Sequence, residues 1–217
     1  MLGKKSLGYN FLMIGEQNYD YVVGVDEAGR GPLAGPVTLG AFGVKTADLK
    51  EIEQILFPSG IKDSKKLTPK KRDLIFDQLV IWHKEGKVVM SHSHGKASNI
   101  DKIGLGPVIE LAVKKALLPF ATSGAGTLVL LDGALRAPIV FTQQKTIIRG
   151  DESEIVIALA SVVAKVIRDR HMVAENDKYP VYNFAGHKGY GTKAHIEAIK
   201  TNGMCEIHRR SFLTKLL

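Results

Sequence analysis

The chain has 217 residues, 45% of them hydrophobic, which suits one domain with a sizeable buried core. Thirty Lys and Arg against 22 Asp and Glu leave a formal charge of +8 and a pI near 9.5, a balance that favours a polyanionic partner. The single cysteine, Cys205, excludes an intrachain disulfide and a thiolate metal cluster, and no apolar stretch is long enough to span a bilayer.

Residues 1–19 read as an N-terminal extension or short cap without the uninterrupted apolar segment of a signal peptide, and 20–217 as one domain. A monomer in a reducing cytoplasm, without membrane attachment, is the expectation. Tyr21 to Val25 reads as a buried strand, Val37 to Val44 as a second and Lys87 to Ser93 as a third. Between the second and third, residues 50–56 and 69–84 look helical. Thr68 ahead of Pro69 is a good N-cap followed by proline at the first helical position. Residues 61–67, Ile-Lys-Asp-Ser-Lys-Lys-Leu, should form an exposed basic loop.

Ser98 is a candidate cap, and Val108 to Leu118 a buried-face helix whose first half Gly104, Gly106 and Pro107 interrupt. Thr127 to Leu131 is a short apolar run of the kind found in a strand covered on both faces. Thr146 to Ile148 is another, with no evident helix between them. Ser153 to Asp177 carries the longest helical pattern, with Ile155, Leu159, Val162, Val163, Val166 and Ile167 near helical spacing. Residues 192–201 form a last amphipathic helix closed by Asn202-Gly203. There is no internal repeat or linker composition, so the pattern is one α/β unit.

Four carboxylates lie at element ends. Asp26 and Glu27 leave the first strand where the glycines begin, Asp132 follows Thr-Leu-Val-Leu-Leu, and Asp151 opens the long helix. Each alone has an ordinary reading: a strand followed by a polar turn, an Asp-Gly turn, a helix cap that complements the dipole. Together they form an oxygen-only set that suits a hard cation, Mg²⁺ or Mn²⁺, and such a cluster commonly works on phosphates. Adjacent strand residues point to opposite faces, so Asp26 and Glu27 reach one ion only if the chain bends, which Ala28-Gly29 allows. Gly29 and Gly31 flank Arg30, leaving backbone N–H groups open to close approach and a guanidinium to clamp phosphate, unless the segment is a bare turn.

In this order, Gly24 to Pro32, Asp63-Ser64-Lys65-Lys66-Leu67, Leu131-Asp132-Gly133, Gly150-Asp151, Ala160-Ser161, Ala164-Lys165, Arg168-Asp169, His187-Lys188-Gly189-Tyr190 and His208 to Phe212 resemble the ribonuclease HII family, over roughly residues 20–213. The resemblance implies a ribonuclease H-like α/β fold: a mixed five-stranded sheet flanked by helices, with a helical C-terminal region. It implies cleavage of RNA in RNA–DNA hybrids and 5′ to ribonucleotides embedded in duplex DNA, leaving 3′-hydroxyl and 5′-phosphate ends. The implied catalytic and metal-binding carboxylates are Asp26, Glu27, Asp132 and Asp151, with two Mg²⁺ or Mn²⁺ ions during catalysis. Gly29, Arg30 and Gly31 resemble the motif that senses the 2′-hydroxyl, and Tyr190 the tyrosine that stacks on the following sugar. Ser64, Lys65 and Lys66 are assigned to phosphates, with a solvated loop as the plain alternative.

Glu152, beside Asp151, departs from the family's small residue, and residues 99–107 are unusual for their place. Tyr190, between Gly189 and Gly191, is expected on a flexible, sterically open turn. His92 and His94 alternate on a strand and can face solvent together, with metal binding the lesser alternative; His187 and His208 are expected to be structural or phosphate-adjacent, and Trp82 to belong to the core. The C-terminal 212–217 should pack on its own domain. Two rivals are a resolvase-like DNA nuclease of the same fold, which the Gly-Arg-Gly and Tyr190 motifs oppose, and a non-catalytic hybrid-binding module, which would lack an acid.

Overall fold

The computed structural model describes residues 19–61, 67–121 and 126–214. Residues 1–18, most of the expected extension, lie outside them, as do 215–217 and Ser64, Lys65 and Lys66. The strands are β1 (Tyr21–Ala28), β2 (Val37–Lys45), β3 (Val88–Gly95), β4 (Thr127–Asp132) and β5 (Gln144–Ile147), in the spatial order β3-β2-β1-β4-β5. β1 pairs antiparallel with β2 and parallel with β4, so the sheet is mixed as expected. β4 and β5 are parallel, joined without a helix among the described residues.

The helices are α1 (Leu49–Leu56), α2 (Pro69–Lys84), α3 (Ala97–Ile103), α4 (Leu105–Ala116), α5 (Ile155–Lys178), α6 (Phe184–His187), α7 (Lys193–Asn202) and α8 (Arg210–Leu213). Thr68 caps α2, its hydroxyl accepting from the Lys71 N–H at 3.2 Å, with Pro69 at the first position. Thr192 caps α7 in the same way, and Gly203 closes it with a positive φ of 77°. Instead of a helix beginning at Val108, Gly104 at φ 84° separates α3 from α4. Pro107 falls in the first turn of α4, where backbone N–H groups have no helical acceptor anyway. Ser98 lies inside α3, whose N-cap is Lys96.

Alternation along β1 divides the core. Val22 joins Phe42, Ile52, Leu79, Trp82, Leu159 and Val163 on the α2/α5 face, whereas Val23 and Val25 join Leu39, Val108, Ala112, Val129 and Leu131 on the α4 face. On the first face α5 comes unusually close. A Cβ on Gly24 would overlap the Val156 and Ile157 backbone, and one on Gly40 the Ala160 and Ala164 backbone. A third, smaller core gathers Leu33, Ala34, Met172, Tyr182, Phe184, Ile199 and Leu213, binding the C-terminal elements and the described part of the tail to the glycine-rich segment after β1.

Candidate active site

β1 runs to Ala28, three residues past its expected end, because β2 supplies partners throughout: Asp26 pairs with Gly40 and Glu27 with Leu39. The carboxylates therefore lie within the strand rather than beyond it, and the bend comes at Gly29, with φ 92°. Pairing of β1 with β4 ends at Val25 and Leu131, and the next residues on the two parallel strands are Asp26 and Asp132. The pleat thus sends both acids to the α5 face, side by side.

Asp26 is 6% exposed; its Oδ1 accepts the Glu27 N–H at 2.7 Å, and Ser161 of α5 hydrogen-bonds its side chain. Burial first, then the charges of Glu27 and Asp132, push its carboxyl up to about 8. Glu27 is also raised, chiefly by burial, although Arg30 opposes this from 2.9 Å. Its Oε2 is buried without a partner among the described residues. Asp132 Oδ1 accepts the Gly150 N–H at 2.7 Å, which ties β4 to the turn that carries Asp151.

That turn is a short 3-10 helix, Gly150–Glu152, preceded by Arg149 in the left-handed region at φ 57°. The long helix starts only at Ile155, with Glu154 at its N-cap, so Asp151 is not its cap. Instead Asp151 lines a cleft of about 430 Å³ with Glu27, Gly29, Arg30, Gly31, Ser161, Lys165 and Tyr190. Glu152 turns to Arg149, 3.6 Å away.

The sequence-expected residues therefore converge, except for Ser64, Lys65 and Lys66, which lie outside the described residues. Convergence is incomplete in one respect: among the described residues no three acidic, His or Cys side chains close into a ready-made metal cage. The donor chemistry nevertheless fits a hard divalent cation. Every candidate ligand is a carboxylate, the buried Glu27 Oε2 has no partner among the described residues, and burial, then the charges of Glu27 and Asp132, raises Asp26.

The expectation of an open, flexible turn at Tyr190 fails. Leu33 N–H donates to Gly189 O at 2.9 Å, and a Cβ on Gly189 would overlap Ala34 O, so Gly189 is needed for close docking as well as for its φ of 82°. The Tyr190 ring lies over Lys165 Nζ at 5.7 Å and the Arg168 guanidinium at 5.6 Å. His94, which the strand pattern allows to face solvent, is half-buried, with Nδ1 2.8 Å from Thr38 Oγ1.

Two buried arginines to which sequence reasoning gave no role shape the segment from Gly29 to Pro36. Arg168 donates to Pro36 O at 3.0 Å and Ala34 O at 3.3 Å, while Arg209 donates to the carbonyls of Gly29, Arg30 and Gly35. Ser161, Lys165 and Arg168 stand at i, i+4 and i+7 on α5, and the first two interrupt the otherwise apolar run 155–167, a polar stripe that the sequence displays. Arg72, which also lines the cleft, had no comparable signal.

A mixed five-stranded sheet with adjacent parallel strands leading into paired carboxylates places the chain in the ribonuclease H-like class of folds. The crystal structure of the ribonuclease H2 from Pyrococcus horikoshii OT3 superposes with a TM-score of 0.65 at 26% identity, covering 88% of this chain and 93% of that one. The ribonuclease HII family model matches residues 23–215. Ribonuclease HII of Caldicellulosiruptor bescii is 43% identical over 93% of this chain and 90% of its own length; that of Fusobacterium nucleatum is 42% identical over 96% and 93%. The chain belongs to the ribonuclease HII family, and its class is that of type 2 ribonuclease H endonucleases.

Proposed function

We propose that this chain is a divalent-metal-dependent endonuclease that cuts the RNA strand of RNA–DNA hybrids and the 5′ side of ribonucleotides embedded in duplex DNA, leaving 3′-hydroxyl and 5′-phosphate ends. The observation that carries the reading is the buried carboxylate group at the ends of β1 and β4, in which Glu27 Oε2 has no partner among the described residues and Asp26 is raised to about 8. Asp26, Glu27, Asp132 and Asp151 would hold Mg²⁺ or Mn²⁺. Two such ions supply activation of the attacking water and stabilisation of the leaving 3′-oxygen. The carboxylates serve as ligands, and the described cleft lining contains no cysteine or histidine nucleophile.

Arg30 is half exposed and, among the described residues, its guanidinium pairs with Glu27 alone, so it is available to an incoming phosphate. Gly31 supports a substrate contact from another direction. A Cβ there would meet nothing within 4 Å, so the fold itself gives no reason for glycine, whereas close approach of a nucleic-acid backbone does. Tyr190, 43% exposed in the cleft and backed by two cations, offers a face on which a sugar can stack, and the 2′-hydroxyl is the group that separates RNA from DNA there. Lys65 and Lys66, with Ser64, are assigned to flanking phosphates.

One assay tests the reading. A duplex with a single ribonucleotide should be cut in Mg²⁺ or Mn²⁺ and spared in EDTA, while all-DNA and all-RNA duplexes resist. Equal cutting of all-DNA would favour a general DNA nuclease, and tight binding without turnover a binding module.

A further inference from the structure

Outside the carboxylate cleft, a group of titratable side chains lies against the third core, beneath the Tyr190 turn. His195 is 0% exposed and His208 1% exposed, and their Nε2 atoms face each other at 3.1 Å. His195 Nδ1 is 2.9 Å from the Tyr190 carbonyl, which can only accept, so Nδ1 carries the proton. At the other end, His208 Nδ1 receives the Cys205 N–H at 2.9 Å and so carries none. The proton of neutral His208 is therefore on Nε2, and it donates to the bare Nε2 of His195. Each ring has one proton and one lone pair, and every contact is satisfied in one direction only: Cys205 N–H to His208, His208 to His195, His195 to Tyr190 C=O.

The groups around the pair leave little room for a second proton. His187 stacks on His195 with centroids 4.3 Å apart, its Nδ1 accepting the Gly189 N–H at 3.1 Å and its Nε2 donating to Tyr182 O at 2.6 Å. Tyr182 and Phe184 close over His208 at 4.8 and 5.7 Å, the Cys205 Sγ is 3.1 Å from His208 Nδ1, and Arg210 acts on His208 through its charge. Burial first, then the facing His195, pulls His208 down to about 4, in keeping with neutral rings near pH 7.

We infer that His195 and His208 form a one-way hydrogen-bond relay that positions Tyr190 in the cleft, so that discrimination at a ribonucleotide junction depends on a pair of histidines that touch no substrate. The relay rests on the reading of Tyr190 as a substrate contact. It fixes the backbone at Tyr190 from below, while Lys165 and Arg168 flank the ring. Both histidines are positioning residues.

Two measurements test this. Long-range ¹H–¹⁵N spectra of histidine-labelled protein at pH 7 should show His195 as the Nδ1–H tautomer and His208 as the Nε2–H tautomer; the reverse assignment, or a charged ring, overturns the relay. The second readout is the ratio of cleavage at a single embedded ribonucleotide to cleavage within a continuous RNA stretch. H195L should lower that ratio about fivefold, through kcat more than KM, whereas H195N, which keeps a donor near the place of Nδ1, should recover most of it. In a Tyr190→Ala background H195L should lower the ratio no further. A full additional loss there, or failure of a folded H195N to recover, overturns the positioning role. If H195L does not fold, the tautomers and H195N decide. If Tyr190→Ala alone leaves the ratio unchanged, the substrate role of Tyr190 fails, and the tautomers still show whether the relay exists.

Discussion

Arg209 Nη2 donates a 2.6 Å hydrogen bond to the carbonyl of Gly29, joining positions 180 residues apart. Its Nη1 and Nε reach Arg30 O at 2.8 Å and Gly35 O at 3.0 Å, so one guanidinium near the C-terminus orders the whole glycine-rich turn. Burial holds Arg209 down at about 9, which leaves it charged at neutral pH. A lysine offers one compact ammonium where three separated carbonyls need a planar fork. Arg209→Lys should therefore lose about 2–4 kcal/mol in urea denaturation and most of the cleavage activity. Retention of both would show that the turn holds itself.

Asp132→Asn keeps the oxygen that accepts the Gly150 N–H and removes only the charge. Cleavage should be abolished, with hybrid affinity changed by less than about tenfold, since the basic surface supplies most of the binding. Near wild-type turnover at saturating Mg²⁺ would dismiss the four-carboxylate site.

The raised Asp26 carboxyl has a thermodynamic signature in metal-free protein. Between the ordinary value near 4 and the folded value of about 8, the folded state holds a proton that the unfolded state has lost. Stability from this group is complete below about pH 4 and declines as pH rises to about 8, by at most about 1.4 kcal/mol per unit. Asp26→Asn should flatten that decline and raise the melting temperature near pH 8, while abolishing cleavage. An unchanged slope in the variant would place the proton elsewhere, Glu154 being the next candidate because burial lifts it to about 7.

Gly29 and Gly31 should separate structural from substrate constraint. Gly29 has φ 92° and a Cβ there would overlap Arg168 Nε, so Gly29→Ala should cost about 1–3 kcal/mol. Gly31→Ala meets open space. It should leave the melting temperature within about 1 °C and lower kcat/KM about tenfold, as obstruction of a close ligand approach would. Full activity of Gly31→Ala would remove the inference of close approach.

Salt dependence probes the phosphate contacts. With roughly four neutralised phosphates, log K against log salt should have a slope near about −3, and Lys65→Ala should flatten it by about one unit for all sequences alike. A flat plot would remove the basic-surface account of binding.

Local signals carried much of the fold. Thr68-Pro69 begins a helix where its chemistry says it should, and Asn202-Gly203 ends one. The end of β1 is not legible locally: the glycines after Ala28 signal an exit, whereas pairing with β2, a long-range property, keeps Asp26 and Glu27 in the strand. The carboxylates were legible as acids closing apolar runs. The arginine framework was not, because a buried Arg209 looks like any other basic residue until its carbonyl partners, more than 170 positions away, are folded against it. Tyr190 differs from its local signal for a related reason: its flanking glycines signal flexibility but serve tight docking onto Leu33 and Ala34.

Gly24 and Gly40 let the backbone of α5 rest against the backbone of β1 and β2. A helix seated in this way has no layer of side chains that can give at those points, so the α5 backbone that carries Ser161, Lys165 and Arg168 is held directly against the strand that carries Asp26. The two sides of the cleft then behave as the jaws of a fixed gauge rather than of a clamp. If the chain acts on ribonucleotide junctions as proposed, whatever bending such a junction requires on entry would fall to the duplex, and its stiffness would enter the selectivity.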